Sequence, residues 1–171
     1  MSVFKYEKDS DGIVTVTMDM SGSANLMMSA EYNEAMRLTV ERLEAEEGLI
    51  GVVFASAKKT FFAGADLNDM VNVEADQIER VFNYLEELKK DFRRLEKLPV
   101  PVVAAINGAA LGGGFEICLS CNYRVAWDNK AVIVGLPEVS LGLLPGGGGV
   151  VRLTNLLGFE KALPYLLEGK K

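Results

Sequence analysis

The chain has 171 residues, of which 49% are hydrophobic, enough for one domain with a packed core. Its net charge of −6 argues against a nucleic-acid-binding surface, and no apolar run is long enough to span a bilayer. The chain contains no histidine, which excludes Ser-His-Asp catalysis, Cys-His catalysis and histidine-ligated zinc within these residues. Acid–base chemistry therefore falls to Glu, Asp, Lys, Tyr or Cys.

The N-terminal sequence and the cysteine content indicate a cytoplasmic protein. The chain does not begin with a basic segment followed by an apolar one, as a secretory leader would. Its two cysteines, without any sign of export, are typical of a reducing compartment.

The first third of the chain predicts the element order ββαβ. Residues 4–7 and 13–18 are rich in β-formers and flank a turn, which indicates a hairpin. Ser29 is the predicted N-cap of a helix over about residues 30–46, with an apolar stripe of Met36, Val40 and Leu43. Residues 49–55 then predict a buried strand.

Residues 56–67 predict another strand followed by a turn of small residues, 63–65, which would expose backbone N–H groups. Lys58 and Lys59 read as solvated loop charges, with contact to an anionic ligand as the alternative. The next segment, 75–98, is the clearest helix, because its apolar residues follow helical spacing and its opposite face is charged.

The segment 102–119 predicts a strand, a tight turn and a helix that begins at three glycines, Gly112 to Gly114. Glycines let a ligand approach the unpaired N–H groups of the helix without meeting a β-carbon. With Glu116 in the first helical turn, this layout suggests an enolate- or oxyanion-generating site. The alternative is a packing turn with Glu116 as a surface residue that complements the helix dipole.

The last third predicts strands at 122–127 and 131–134 and a helix at 150–157 that ends at Gly158. The repeated ββα order favours an α/β spiral of similar turns over a doubly wound sheet. Cys118 and Cys121 fall inside a helix and read as buried structural thiols rather than a metal site. The glycines at 146–149 lack the Lys-Ser/Thr of a P-loop.

Three segments in order, 62–67, 107–116 and 136–146, resemble the crotonase (enoyl-CoA hydratase/isomerase) superfamily. The resemblance covers essentially the whole chain and is especially close to the hydratase part of multifunctional fatty-acid β-oxidation proteins. It implies a crotonase-like spiral of repeated ββα turns.

The resemblance also implies the site. The backbone N–H groups of Ala65 and Gly113 would form an oxyanion hole, and Glu116 and Glu138 match the two catalytic glutamates of hydratases. The implied substrate-binding residues are Lys59, Ala63, Asp66, Leu67, Gly112, Pro137 and Gly146. No metal or other cofactor is implied, because coenzyme A is part of the acyl-CoA thioester substrate.

The implied reaction is the hydration of trans-2-enoyl-CoA to 3-hydroxyacyl-CoA in fatty-acid β-oxidation. Two alternatives stay open: Δ3–Δ2 enoyl-CoA isomerisation, and a non-catalytic module that binds CoA thioesters. Family members continue with C-terminal helices that build an oligomer interface, whereas this sequence stops at Lys171. We therefore expect a truncated core, without those helices or a dehydrogenase domain, that still forms a trimer-like homo-oligomer. Phe115 and Asn122 are milder departures from the family pattern.

Overall fold

The computed structural model describes residues 3–65 and 73–171. Its largest element is a five-stranded β-sheet, and a second, two-stranded sheet lies beside it. The strands are β1 (Phe4–Lys8), β2 (Ile13–Met18), β3 (Gly51–Ser56), β4 (Val102–Ile106), β5 (Ala110–Leu111), β6 (Tyr123–Ala126) and β7 (Val134–Gly135). The large sheet has the order β1-β2-β3-β4-β6, and β5 pairs with β7 in a second, two-stranded sheet. The β1–β2 hairpin is antiparallel, as predicted, and all the other pairs are parallel.

Among the described residues, five α-helices and two short 3₁₀ segments lie between the strands or follow the last of them. They are α1 (Ala30–Ala45), α2 (Ile78–Glu96), α3 (Gly113–Ser120), α4 (Gly149–Leu157) and α5 (Phe159–Leu167), with 3₁₀ turns at Ala75–Gln77 and Pro137–Leu141. None of these helices, in the part of the chain that the structure describes, has the length and apolarity needed to cross a membrane.

Successive turns of the chain stack on one another, which confirms the predicted α/β spiral. Each turn contributes one strand to the large sheet and one short segment to a second layer. In that layer Met27 bridges Ala65, Phe62 bridges Ala110, and β5 pairs with β7, always in parallel. The stacking brings residues that are far apart in sequence to the same edge of the fold.

Helix α1 illustrates how local sequence sets an element. The hydroxyl of Ser29 accepts a hydrogen bond from the Tyr32 N–H group at 3.1 Å, so Ser29 is the predicted N-cap. The stripe of Met36, Val40 and Leu43 is buried in the core, also as predicted. Because this stripe recurs at helical spacing, one face of the helix packs inward and the other stays in solvent.

The strand predicted within residues 56–67 is wrong. Residues 57–61 bend, because the Ser56 hydroxyl donates to the Thr60 carbonyl at 2.7 Å and accepts from the Lys58 N–H group at 3.1 Å. The Asn107 side chain also donates to the Lys58 carbonyl at 2.7 Å and holds this bend against the next turn of the spiral. Between the end of β3 at Ser56 and the last described residue before the gap, Ala65, β pairing is limited to the bridges at Phe62 and Ala65.

The strand predicted at 131–134 is also largely wrong, since β7 begins at Val134. The Asn129 side chain accepts from the Ala131 N–H group at 2.9 Å, and the Asn129 carbonyl accepts from the Val132 N–H group. These hydrogen bonds favour a turn. Helix α5 was not predicted, and Pro164 lies inside it.

Candidate active site

A cavity of about 590 Å³ lies where the turns of the spiral meet. The predicted site residues that line it are Ala63, Ala65, Gly112, Gly113, Glu116, Pro137, Glu138 and Gly146. Lys59 is exposed and is not among the lining residues. Asp66 and Leu67 lie outside the described residues.

Two backbone turns lie side by side along one wall of the cavity. The Leu111 N–H group donates to the Phe62 carbonyl at 3.1 Å, which holds the turn at 63–65 beside the turn at 112–113. A β-carbon added to Gly64 would lie 3.0 Å from the Leu111 carbonyl oxygen and 3.9 Å from the Gly113 nitrogen. Gly64 has φ of +91°, which glycine adopts without strain. The sequence-predicted N–H groups of Ala65 and Gly113 therefore belong to adjacent segments.

Gly113 is the first residue of α3, so its N–H group has no partner within the helix. The Gly112 N–H group, in contrast, donates to the Gly135 carbonyl at 2.9 Å and is not available to a ligand. The Met27 thioether packs onto Gly113, and a β-carbon there would collide with the Met27 sulfur. Met27, which is 3% exposed, is a lining residue that sequence analysis missed.

Glu116 is buried, with 3% of its surface exposed, so its interpretation as a surface residue is wrong. Its Oε1 atom accepts a hydrogen bond from the Gly149 N–H group at 2.7 Å. Burial raises the pKa of the carboxyl group, while the N–H groups of Gly149 and Gly147 and the charge of Arg152 oppose that rise. The side chain is thus an acid with hydrogen bonds that stabilise its ionised form.

Glu138 lies in the 3₁₀ turn that follows β7, opposite Gly112. A β-carbon on Gly112 would lie 3.1 Å from Glu138 Oε1. The Oε2 atom is buried and has no hydrogen-bond partner among the described residues. Burial raises the pKa of Glu138 to about 7. Its own backbone N–H group opposes this rise, and the negative charge of Glu116 adds a smaller upward effect. Glu138 therefore changes its charge close to neutral pH.

The glycine turn, residues 146–149, wraps around the Glu116 carboxylate. A β-carbon on Gly147 would lie 2.7 Å from Oε2, and one on Gly149 would lie 2.9 Å from Oε1. Sequence analysis assigned only Gly146 to the site and compared the glycines with a P-loop. The signal that could have identified Gly147 and Gly149 is the run of glycines before a helix, which allows close approach of backbone to an anion.

The two cysteines, which sequence analysis set aside as a metal site, are buried as predicted. Cys118 and Cys121 are buried, and their thiols donate to the carbonyls of Gly114 and Ile117 at 3.3 Å. Burial raises the pKa of the Cys121 thiol to about 12, so this thiol is unreactive near neutral pH. Lys58 forms an ion pair with Asp19 at 2.8 Å and its side chain is 17% exposed, so it is a paired and largely buried loop charge rather than the solvated one predicted.

Comparison with known proteins gives a consistent result. A family model described as enoyl-CoA hydratase/isomerase matches residues 8–171. The fatty acid oxidation complex subunit alpha of Idiomarina loihiensis is 41% identical over 174 residues, which cover 98% of this chain and 24% of that protein. The chain thus spans about a quarter of the length of this curated relative.

Solved structures share the fold over nearly the whole chain. The enoyl-CoA hydratase from Bacillus anthracis is 30% identical with a TM-score of 0.85, over 96% of this chain and 62% of that one. DspI from Pseudomonas aeruginosa is 28% identical with a TM-score of 0.88, over 99% of this chain and 62% of that one.

Proposed function

The chain belongs to the enoyl-CoA hydratase/isomerase family, and from this membership we propose that it hydrates trans-2-enoyl-CoA thioesters to 3-hydroxyacyl-CoA. The observation that carries the proposal is the pair of carboxyl groups, Glu116 and Glu138, that share one cavity but differ in their hydrogen bonds. Such a pair can supply a base and an acid to the same substrate.

The N–H groups of Ala65 and Gly113 are the proposed partners of the thioester oxygen. Attack of water on the β-carbon of an enoyl thioester moves negative charge onto that oxygen and produces an enolate. Two preorganised N–H donors stabilise this charge, and one such donor contributes about 3 kcal/mol in a comparable oxyanion hole. The glycine at 113 leaves the approach to the nitrogen free of a side chain on its own residue.

The two glutamates have complementary proposed roles. Glu116, whose ionised form accepts N–H hydrogen bonds, removes a proton from water as the oxygen adds to the β-carbon. Glu138, which holds its proton to about pH 7, transfers it to the α-carbon of the enolate. The products are the 3-hydroxyacyl thioester, neutral Glu116 and ionised Glu138; Glu116 then releases its proton to solvent and Glu138 takes one up, which restores the starting state.

The remaining cavity wall is suited to an acyl chain. It includes apolar residues of α2, of the second 3₁₀ turn and of the segment after that turn, namely Val81, Leu85, Leu88, Leu141, Leu143 and Leu144. We propose that the CoA moiety contacts Lys59 and Ala63, and that coenzyme A enters only as part of the substrate. From the family resemblance, the proposed contacts also include Asp66 and Leu67, which lie outside the described residues. Gly112, Pro137 and Gly146 complete the proposed binding surface.

Hydration of crotonyl-CoA tests the proposal. Glu116→Gln and Glu138→Gln should each lower kcat by about 100-fold or more with little change in KM, since each removes a proton-transfer group. Glu160→Gln, in an exposed position of α5, is the matched control and should keep full activity. Near-normal turnover by both site variants would show that these glutamates are not the acid and the base.

Isomerisation of Δ3-enoyl-CoA is the second candidate, because moving a proton between two carbons of one enolate needs only one carboxyl group. The unpartnered Oε2 atom and the raised pKa of Glu138 favour this residue as the carrier. Glu116→Gln should then abolish hydration and spare isomerisation of trans-3-hexenoyl-CoA. Binding of acyl-CoA by the wild type without either reaction would instead support the non-catalytic alternative.

We also propose that the chain forms a homo-oligomer. Tyr123 and Val125 alternate along β6 at the edge of the large sheet, and Trp127 directly follows that strand; their side chains are 63%, 62% and 59% exposed. A contiguous apolar face of this kind is typical of an interaction surface. The trimer-like arrangement expected from the family resemblance can be tested by sedimentation.

A further inference from the structure

The Glu116 carboxylate is oriented by backbone that comes from a different turn of the spiral. Gly149 donates to Oε1 at 2.7 Å, and the Gly147 N–H group also favours the ionised form of the carboxylate. These donors keep their positions only if the glycine turn keeps its shape. Gly148 has φ of +97°, and glycine backbone has the greatest conformational freedom of any residue, so the turn needs an external constraint.

Arg152 supplies that constraint from the first turns of α4. Its Nη1 atom donates to the Gly147 carbonyl at 2.7 Å, inside the glycine turn. Its Nε atom donates to Glu96 Oε1 at 2.6 Å, at the C-terminal end of α2. One planar guanidinium group therefore ties the glycine turn to a long helix in two directions at once.

The surroundings of the guanidinium hold it in place. Its side chain is 14% exposed, and its central carbon lies 5.8 Å from the centre of the buried Phe92 ring. Glu96 is itself fixed by Arg93, which contacts its second carboxylate oxygen at 3.0 Å. A mobile surface arginine would not have this set of contacts.

We propose that Arg152 is a positioning residue for Glu116: it holds the glycine turn in the shape that orients the carboxylate and places a positive charge close to it. The kinetic part of this inference rests on the proposed hydratase function. The structural part concerns the ionisation of Glu116 alone, and it can be tested whether or not the chain hydrates enoyl-CoA.

The first experiment measures the Glu116 carboxyl group directly. Carbon-13 NMR of protein labelled on the glutamate side-chain carboxyl carbon gives its titration, and Glu116→Gln identifies the signal. In Arg152→Gln the Glu116 pKa should rise by about 1 pH unit, because a nearby cation and well-placed N–H donors both favour the ionised form. A pKa equal to that of the wild type would overturn the proposal.

The matched control is Arg124→Gln. Arg124 also donates to two backbone carbonyls, those of Cys118 at 3.0 Å and Cys121 at 2.9 Å, but at the opposite end of the helix that carries Glu116. Its loss should lower stability and leave the Glu116 titration unchanged. An equal pKa change in both arginine variants would mean that general loosening of the fold, not Arg152, sets the ionisation, and would overturn the proposal.

The second experiment is kinetic and uses Arg152→Lys as well. Arg152→Gln should lower kcat for crotonyl-CoA hydration at least 10-fold with KM within about threefold, and the pH dependence should follow the Glu116 pKa. Arg152→Lys keeps the charge but cannot donate in both directions, so it should recover part of kcat and most of the original pKa.

If Arg152→Gln does not fold, Arg152→Lys decides the question. The proposal then requires an altered carbon-13 shift of the Glu116 carboxyl group, and an unaltered shift would overturn it. A wild-type protein without hydratase activity, but with the expected change at Glu116 in the arginine variants, would refute the proposed reaction and leave the positioning role supported.

Discussion

Replacing Glu138 by glutamine is expected to stabilise the folded protein at alkaline pH. The carboxyl group has a pKa of about 7 in the folded protein, against an ordinary value of 4.5. Between these values the folded protein retains a proton that the unfolded chain has lost, so the free energy of unfolding falls as pH rises. The stability is fully present below about pH 4.5 and is lost as pH rises through 7. Glutamine does not ionise, and the variant should escape this loss.

The magnitude follows from the difference between the two pKa values. Each pKa unit corresponds to about 1.4 kcal/mol, so the upper limit for Glu138 is about 3 kcal/mol. The side chain is only partly buried, and solvent screening reduces the effect. We therefore expect the change in unfolding free energy caused by Glu138→Gln to be about 1–2 kcal/mol more favourable above pH 8 than near pH 5.

Urea unfolding near pH 5 and near pH 8.5 provides the measurement. The relevant quantity is the change in unfolding free energy caused by the substitution at the higher pH, minus the change at the lower pH. This difference cancels the cost of the glutamine amide, which is the same at both pH values. Glu160→Gln, at an exposed site, should give no difference. An equal effect of Glu138→Gln at both pH values would refute the raised pKa and the acid role built on it.

Three further predictions address catalysis and assembly. The kcat/KM for hydration should fall above about pH 7 as Glu138 loses its proton, and kcat/KM for the reverse dehydration should fall in parallel, because the overall reaction releases no proton and both directions need one proton on the pair of glutamates; a hydration profile that stays flat through pH 7 would contradict the assignment. Gly113→Val should lower kcat/KM at least 100-fold, and full activity of a folded Gly113→Val variant would exclude the oxyanion role. Because a β-carbon at 113 collides with the Met27 sulfur, the double variant Gly113→Ala with Met27→Ala should be more active than Gly113→Ala alone. Trp127→Lys should shift sedimentation toward the monomer, and an unchanged profile would show that β6 is not the interface.

Sequence analysis predicted those parts of the fold that local pattern determines. Helix α1 follows from the Ser29 cap and a stripe at helical spacing, both of which depend on residues within a few positions of one another. The position of Glu116 in the first turn of α3 also follows from the glycines directly before it. In each case the residues that decide the conformation are neighbours in the sequence.

Two of the failures involve contacts between residues that are far apart in the sequence. Residues 57–61 have strand-forming neighbours, but the Asn107 side chain from the next turn of the spiral holds them in a bend. The glycine turn was not linked to Glu116 because 33 positions separate Gly149 from the carboxylate that it contacts. Contacts between turns of a spiral have no signature in a single sequence, since the partner could lie at any later position.

The two glutamates show why the site depends on those long-range contacts. Glu116 and Glu138 are both in the first turn of a helical segment, where the helix dipole favours a carboxylate. In both, however, burial outweighs the dipole and the pKa rises. They differ because Glu116 receives N–H groups from the glycine turn, whereas Glu138 Oε2 has no partner among the described residues. The assignment of base and acid therefore depends on the glycine turn, residues 146–149, rather than on the glutamates themselves. Arg152 in turn holds that segment in its shape.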